Sequence, residues 1–185
     1  MTEYDQLCRM LNEKFKSSKQ DKMIENQGDK KTQSVDITPM KDLKKTLYRM
    51  ALEEKDFLPF FNKSHSSPEG LRQFCDYILL AEYLGRTFVL LLELKRGDTA
   101  GAAKQLNASE TFMEYIYSSA KRLHVDFNDS EFDKEKVTTM KIVVKEPISS
   151  KMTTKGRPKI YKEHNVFYFE TMKVFPIRQF IENRF

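Results

Sequence analysis

The sequence has no tryptophan, only three histidines and only two cysteines, Cys8 and Cys75. Two cysteines cannot form a disulfide framework, so the expected compartment is the cytoplasm. The histidines have no histidine or cysteine partner at metal-ligand spacing, which argues against a zinc site. Cys75 has no evident base beside it and is expected to be a buried core thiol rather than a nucleophile.

Long hydrophobic runs are also missing. The longest, residues 88–92, ends at Glu93 and is far too short to cross a bilayer. The first residues include the acids Glu3 and Asp5 and no apolar core, so we expect no secretory signal. The sequence therefore predicts a cytoplasmic protein with no membrane partner.

The residues that are present favour one compact domain with modest extensions. The chain has 185 residues and a mass of 21.9 kDa. Hydrophobic residues make up 39% of it, with 14 Phe and 8 Tyr, which is too apolar and too aromatic for a wholly disordered protein. The formal net charge of +5 permits a polyanionic partner but is well short of a histone-like field.

The N-terminal part separates from the rest by its composition. Apolar residues at helical spacing, among them Leu7 and Leu11, predict a short amphipathic helix over residues 1–16. The stretch from Lys16 to Gln33 is rich in polar residues, and we interpret it as a solvated linker. This gives a helix and linker over residues 1–35 and a main domain over residues 36–185.

The main domain begins with a predicted helix after Pro39, because apolar residues recur at helical spacing from Met40 to Met50. Two largely apolar runs follow, residues 74–80 and 87–94. Their β-branched and aromatic content, and the glycine between them, predict a β-hairpin.

A long helix is predicted from about Ala100 to Leu123, with an apolar stripe and small residues at its start. Residues 137–144 and 166–169 are predicted strands, and a short amphipathic piece closes the chain. The order of elements is helix, strand, strand, long helix, strand, strand, helix. This order predicts a mixed α/β, or α+β, domain.

The pattern that points to chemistry lies at the end of the second apolar run. Side chains alternate along a strand, so Glu93 and Lys95 share a face that Val89 and Leu91 otherwise make apolar. Burying two charges there is costly unless each has a partner or a task. The hairpin returns Asp76 to the same edge. Two converging carboxylates repel each other unless a divalent cation lies between them, and oxygen ligands of this kind suit Mg²⁺ or Mn²⁺.

Asp76, the Glu93-Leu94-Lys95 triplet and the helix with Gln105 resemble the PD-(D/E)xK nuclease superfamily. The resemblance implies a restriction-endonuclease-like core, a central mixed sheet flanked by helices, in the order helix, three strands, helix, strand. It implies that Asp76, Glu93 and the Leu94 carbonyl bind the metal ion. It also implies that Lys95 positions or helps deprotonate the attacking water, so that the protein hydrolyses phosphodiester bonds with Mg²⁺ or Mn²⁺ as cofactor.

The resemblance covers residues 40–145. In several branches of the family a glutamine on the helix after the triplet contacts the lysine, a metal water or the substrate, a role that would fall to Gln105. A glutamate from the first helix often completes the metal site, and the sequence leaves Glu53, Glu54 and Glu69 open for it. Only two strands are evident before the Gln105 helix, so the first of the family's three strands is left unassigned.

A basic segment near the C-terminus is the candidate nucleic-acid contact. Its charged residues are Lys151, Lys155, Arg157 and Lys159. They would form either a mobile arm along a nucleic-acid backbone or an ordinary solvated loop, and the sequence favours neither.

The sequence therefore predicts a metal-dependent nuclease that acts on DNA rather than RNA. An alternative is a nuclease-like fold that binds nucleic acid or assembles with proteins without turnover. A third possibility is an interaction module whose N-terminal helix makes a homodimer contact. That helix is too short to fold alone, so it must dock on the domain, on a second copy or on a partner.

Overall fold

The computed structural model describes residues 1–25, 33–50, 74–96, 98–123, 131–146, 160–171 and 173–182. Within these residues the helices are α1 (Glu3–Met10), α2 (Ala102–Leu123) and α3 (Ile177–Ile181). The strands are β1 (Lys22–Glu25), β2 (Gln33–Ile37), β3 (Lys44–Arg49), β4 (Tyr77–Tyr83), β5 (Arg86–Arg96), β6 (Val137–Glu146), β7 (Ile160–Glu163), β8 (Val166–Glu170) and β9 (Val174–Phe175).

Six of these strands form a mixed sheet in the order β3-β4-β5-β6-β8-β7. Strands β3, β4 and β5 are antiparallel neighbours, whereas β6 runs parallel to both β5 and β8. Helix α2 connects β5 to β6, since a parallel neighbour needs a crossover. The remaining strands form a small sheet in the order β1-β2-β9. The predicted mixed α/β class is confirmed.

The predicted hairpin is confirmed as β4 and β5, joined by the two residues Leu84 and Gly85. Both have positive φ, 50° and 72°, as a tight turn between right-twisted strands requires. The turn sets a register in which Tyr77 pairs with Leu92. Residues just before Tyr77 therefore lie beside the last residues of β5.

Two separate apolar layers cover the main sheet. Val89 and Leu91 pack in a cluster with α1 and α2, whereas Leu90 and Leu92 pack against the small sheet and α3. This division confirms the alternation predicted for β5. Helices α1 and α2 cover one face, whereas the small sheet and α3 cover the other.

The helix predicted after Pro39 is wrong, because residues 44–49 form strand β3. Tyr48 and Met50 pack on the α1 and α2 side, and Leu47 packs on the opposite side. A strand buried on both faces shows no clean alternation, and its apolar residues also fit a helical spacing. Pairing with the apolar β4 provides the backbone hydrogen bonds that decide in favour of a strand.

The segment interpreted as a linker contains strand β1, which pairs with β2. Met23 in this strand is completely buried under the main sheet, together with Val35 of β2. Helix α1 docks on the domain itself, where Leu7 is buried and the Tyr4 hydroxyl lies 2.8 Å from Thr46 Oγ1. The division of the chain at residue 36 remains a prediction.

Two groups of predicted functional residues lie outside the described residues. They are the basic segment (Lys151, Lys155, Arg157 and Lys159) and the candidate glutamates (Glu53, Glu54 and Glu69). None of the helices described is both long enough and apolar enough to span a membrane.

Candidate functional site

The candidate site is centred on the Glu93 carboxylate, near the end of β5. Only 1% of the Glu93 side chain is exposed, and it lies on the sheet face where Val89 and Leu91 pack with α2. Its Oε2 accepts a hydrogen bond from the Asp76 backbone N–H at 3.1 Å, and its Oε1 lies 2.6 Å from Lys95 Nζ. The buried Glu93 carboxylate therefore contacts a backbone N–H through one oxygen and the Lys95 ammonium through the other.

Asp76 lies directly before β4 and is held against β5. Its Oδ2 accepts a hydrogen bond from the Leu94 N–H at 2.7 Å, and its backbone carbonyl accepts one from the Met50 N–H at 2.8 Å. Asp76 and the Glu93-Leu94 unit thus exchange two hydrogen bonds, each from a backbone N–H to a carboxylate. Both carboxylates lie at the same point of the sheet, as the hairpin argument predicts.

Lys95 and Gln105 are the remaining predicted residues of the site, and they contact each other. Lys95 Nζ donates a hydrogen bond to Gln105 Oε1 at 3.0 Å, and Gln105 Nε2 donates to the Phe74 carbonyl at 3.4 Å. The glutamine amide is therefore fixed between the β5 lysine and the residues that enter β4. The structure brings together Asp76, Glu93, Lys95 and Gln105.

Ser109 is a further residue of the site that sequence reasoning missed. Its hydroxyl donates to the Gln105 carbonyl at 2.9 Å and accepts from the Cys75 N–H at 2.8 Å. It therefore ties α2 to the residue before Asp76. The sequence feature that could have identified Ser109 is its position one helical turn after Gln105, which places both residues on the same face of α2.

The electrostatics of the site disfavour a second negative charge. Burial and the neighbouring Asp76 carboxylate raise the pKa of Glu93 to about 7, although the Lys95 ammonium acts in the opposite direction. Burial also raises the pKa of the Cys75 thiol to about 12, which makes it an inert core group as expected. The Glu93 carboxylate is therefore a group that additional positive charge would stabilise.

The donor set fits a hard divalent cation. The Leu94 N–H points toward Asp76. Because the N–H and the carbonyl of one residue in a strand point to the same side, the Leu94 carbonyl also faces Asp76. Two carboxylates and one carbonyl are all oxygen donors, and Mg²⁺ commonly binds one or two carboxylates with water or phosphate completing its shell. Asp76 and Glu93 are only two side chains. Among the described residues, no larger group, of three or more His, Cys, Asp or Glu side chains, could hold a metal ion.

No protein-family model matches the chain, and no curated protein or solved structure matches it at a significant level. The geometry of the site and the order of the strands are therefore the features that bear on function.

Proposed function

We propose that this protein is a metal-dependent nuclease of the PD-(D/E)xK type that hydrolyses phosphodiester bonds, with DNA as its substrate. One observation carries the proposal. The Asp76 and Glu93 carboxylates converge with Lys95 and Gln105 where β4 begins and β5 ends. Without a task, such a cluster would be a costly way to end a buried strand.

The order of elements supports the proposal. From α1 onward the main sheet is built as a helix, three antiparallel strands (β3, β4 and β5), helix α2, and then β6 parallel to β5. This is the order that the family resemblance implies. Strand β3 supports the proposal because it is a third antiparallel strand before α2, although the strands β1 and β2 of the small sheet come between it and α1.

In this proposal Asp76, Glu93 and the Leu94 carbonyl hold the divalent ion. When bound, the ion supplies an activated water and neutralises charge that develops on the phosphate. Lys95 donates a hydrogen bond to the attacking water and orients it toward the phosphorus. Gln105 holds the Lys95 ammonium in place, since it already bonds that group at 3.0 Å.

The test is a cleavage assay on DNA and RNA substrates with Mg²⁺, with Mn²⁺ and with EDTA. The variant Lys95→Ala is compared with Lys141→Ala, because Lys141 is also a partly buried lysine that pairs with a glutamate, in its case Glu110 of α2. We expect cleavage only with the divalent ion, a loss of about a hundredfold in Lys95→Ala, and a change of less than about twofold in Lys141→Ala.

Equal cleavage by Lys95→Ala and Lys141→Ala would contradict the proposal, as would wild-type protein that leaves every substrate intact. Salt-sensitive DNA binding without any cleavage would favour the alternative of a non-catalytic binding module.

A further inference from the structure

A second feature lies at the same end of the main sheet. A cavity of about 340 Å³ opens between residues 14–19, β1 and the end of β3. Five of the residues that line it are basic, namely Lys14, Lys16, Lys19, Lys22 and Arg49. Among the described residues that line this basic cavity, none is acidic.

Two of these basic groups have acidic neighbours. Lys16 pairs with Glu13 at 3.4 Å, and Lys22 pairs with Asp36 at 3.0 Å, and both acids lie outside the cavity wall. Lys19 and Arg49 are exposed. A concave surface with excess positive charge concentrates field lines and attracts anions.

The wall that carries the lysines is held in place by hydrogen bonds. The Ser17 N–H donates to the Leu47 carbonyl at 2.8 Å, and the Leu47 N–H donates to Gln20 Oε1 at 2.7 Å. Lys45 Nζ donates to the Gln20 carbonyl at 3.0 Å. Because this segment is fixed to β3, the cavity exists before a ligand arrives and less ordering is lost on binding.

The cavity also has an aromatic floor. Phe15 and Tyr77 line it, and the Tyr77 hydroxyl bonds both the N–H and the carbonyl of Ile24 at 2.8 Å. Lys14 Nζ lies 5.0 Å from the centre of the Phe15 ring. Both side chains are buried, so they shape the floor of the cavity and leave contact with a ligand to the basic groups around it.

The basic cavity is close to the candidate site. Arg49 pairs with Tyr77, the residue after Asp76, and Tyr77 pairs with Leu92, the residue before Glu93. Two strand spacings, about 10 Å, thus separate Arg49 from the strand that carries Glu93.

The two features face opposite sides of the sheet. Tyr48 and Met50 pack on the side of α1 and α2, so Arg49 between them points to the other side. A backbone that crosses this end of the sheet reaches both features. We infer that the basic cavity binds the phosphate backbone of the nucleic acid beside the cleavage position, an inference that rests on the proposed function for the choice of ligand.

The test measures binding without cleavage. Fluorescence anisotropy of a labelled DNA duplex in EDTA, over a series of NaCl concentrations, compares wild-type protein with Lys19→Gln/Arg49→Gln. The matched control is Lys41→Gln/Arg86→Gln, which removes two exposed cations at the opposite end of the sheet. Both double variants change exposed residues only, and a thermal melt verifies that each is folded.

We expect the cavity variant to bind about tenfold more weakly at low salt, and the slope of log K against log salt to be shallower by about two. The control should match the wild type in both readouts. Equal affinity and slope in the two double variants would overturn the inference, as would wild-type protein that binds no nucleic acid.

The outcome separates this inference from the proposed function. Binding that depends on the cavity, in a protein that never cleaves with Mg²⁺ or Mn²⁺, supports the cavity and overturns the nuclease. Metal-dependent cleavage with both double variants binding alike keeps the nuclease and overturns the cavity. Repeating the titration with duplex RNA identifies which backbone is preferred.

Discussion

Two lysine–glutamate pairs lie on the face of the main sheet that α2 covers, and they differ in which partner is buried. In the first, Glu93 is 1% exposed and Lys95 is 22% exposed. In the second, Lys141 is 11% exposed and Glu110 is 41% exposed. The acid is the more buried partner in the first pair, and the base is the more buried partner in the second.

Each lysine also bonds an amide side chain of α2. Lys95 Nζ donates to Gln105 at 3.0 Å, and Lys141 Nζ donates to Asn107 at 3.0 Å. The difference that remains is Asp76, whose carboxylate lies close enough to Glu93 to raise its pKa. A pair with a buried acid and a second carboxylate nearby calls for additional positive charge, whereas the other is an ordinary interfacial ion pair.

The largest expected effect separates the two acids. Glu93→Gln should lower metal-dependent cleavage about a thousandfold, because it removes one of the two carboxylates that hold the ion. Glu110→Gln should change cleavage less than about twofold. Single-turnover cleavage assays on both variants, with isothermal titration of Mn²⁺, measure this difference. Matching rates and Mn²⁺ affinities in the two variants would show that the two pairs are equivalent.

The next effect is on stability and has a definite sign. The folded state keeps the Glu93 proton up to about pH 7, whereas the unfolded chain releases it near pH 4.5. Between these values the folded state binds more protons, so this group's contribution to the free energy of unfolding is complete at low pH and lost as pH rises toward 7. The loss is about 3 kcal/mol by pH 8.

Glu93→Gln removes this loss, so without divalent ions it should gain stability relative to wild type as pH rises from 4.5 to 8. Glu110→Gln serves as the control and should follow the wild-type pH dependence. Urea denaturation in EDTA at several pH values gives the free energies. Parallel curves for wild type and Glu93→Gln would mean that the buried carboxylate is not destabilised by its surroundings.

The smallest effect concerns the amide groups. Gln105→Ala should lower the cleavage rate about tenfold by releasing the Lys95 ammonium, with little effect on Mn²⁺ affinity. Asn107→Ala removes the equivalent bond to Lys141 and should leave the rate within about twofold. Steady-state kinetics distinguish the two variants. If Asn107→Ala slows cleavage as much as Gln105→Ala, both amides act only through the stability of α2.

Sequence patterns predicted which residues of the candidate site lie close together better than they predicted the fold around them. Glu93 and Lys95 stand at the end of an apolar run, and the glycine turn fixes the partner strand, so local information is enough to place Asp76 beside them. Strand β3 could not be distinguished from a helix, because both of its faces are buried. Strand β1 is only four residues long and depends on β2 and the main sheet for its order.

The hydrogen bonds that fix residues 16–20 to β3 have a consequence for self-association. Lys16 forms an isolated β-bridge with Tyr48. The Ser17 N–H bonds the outward carbonyl of Leu47, and the Gln20 side chain bonds its outward N–H. Around Leu47 the sheet border at β3 is therefore already hydrogen-bonded to residues 17 and 20, so it offers a second copy fewer free backbone groups to pair with. If two copies join by extending the main sheet, we expect the contact at the opposite border, along β7.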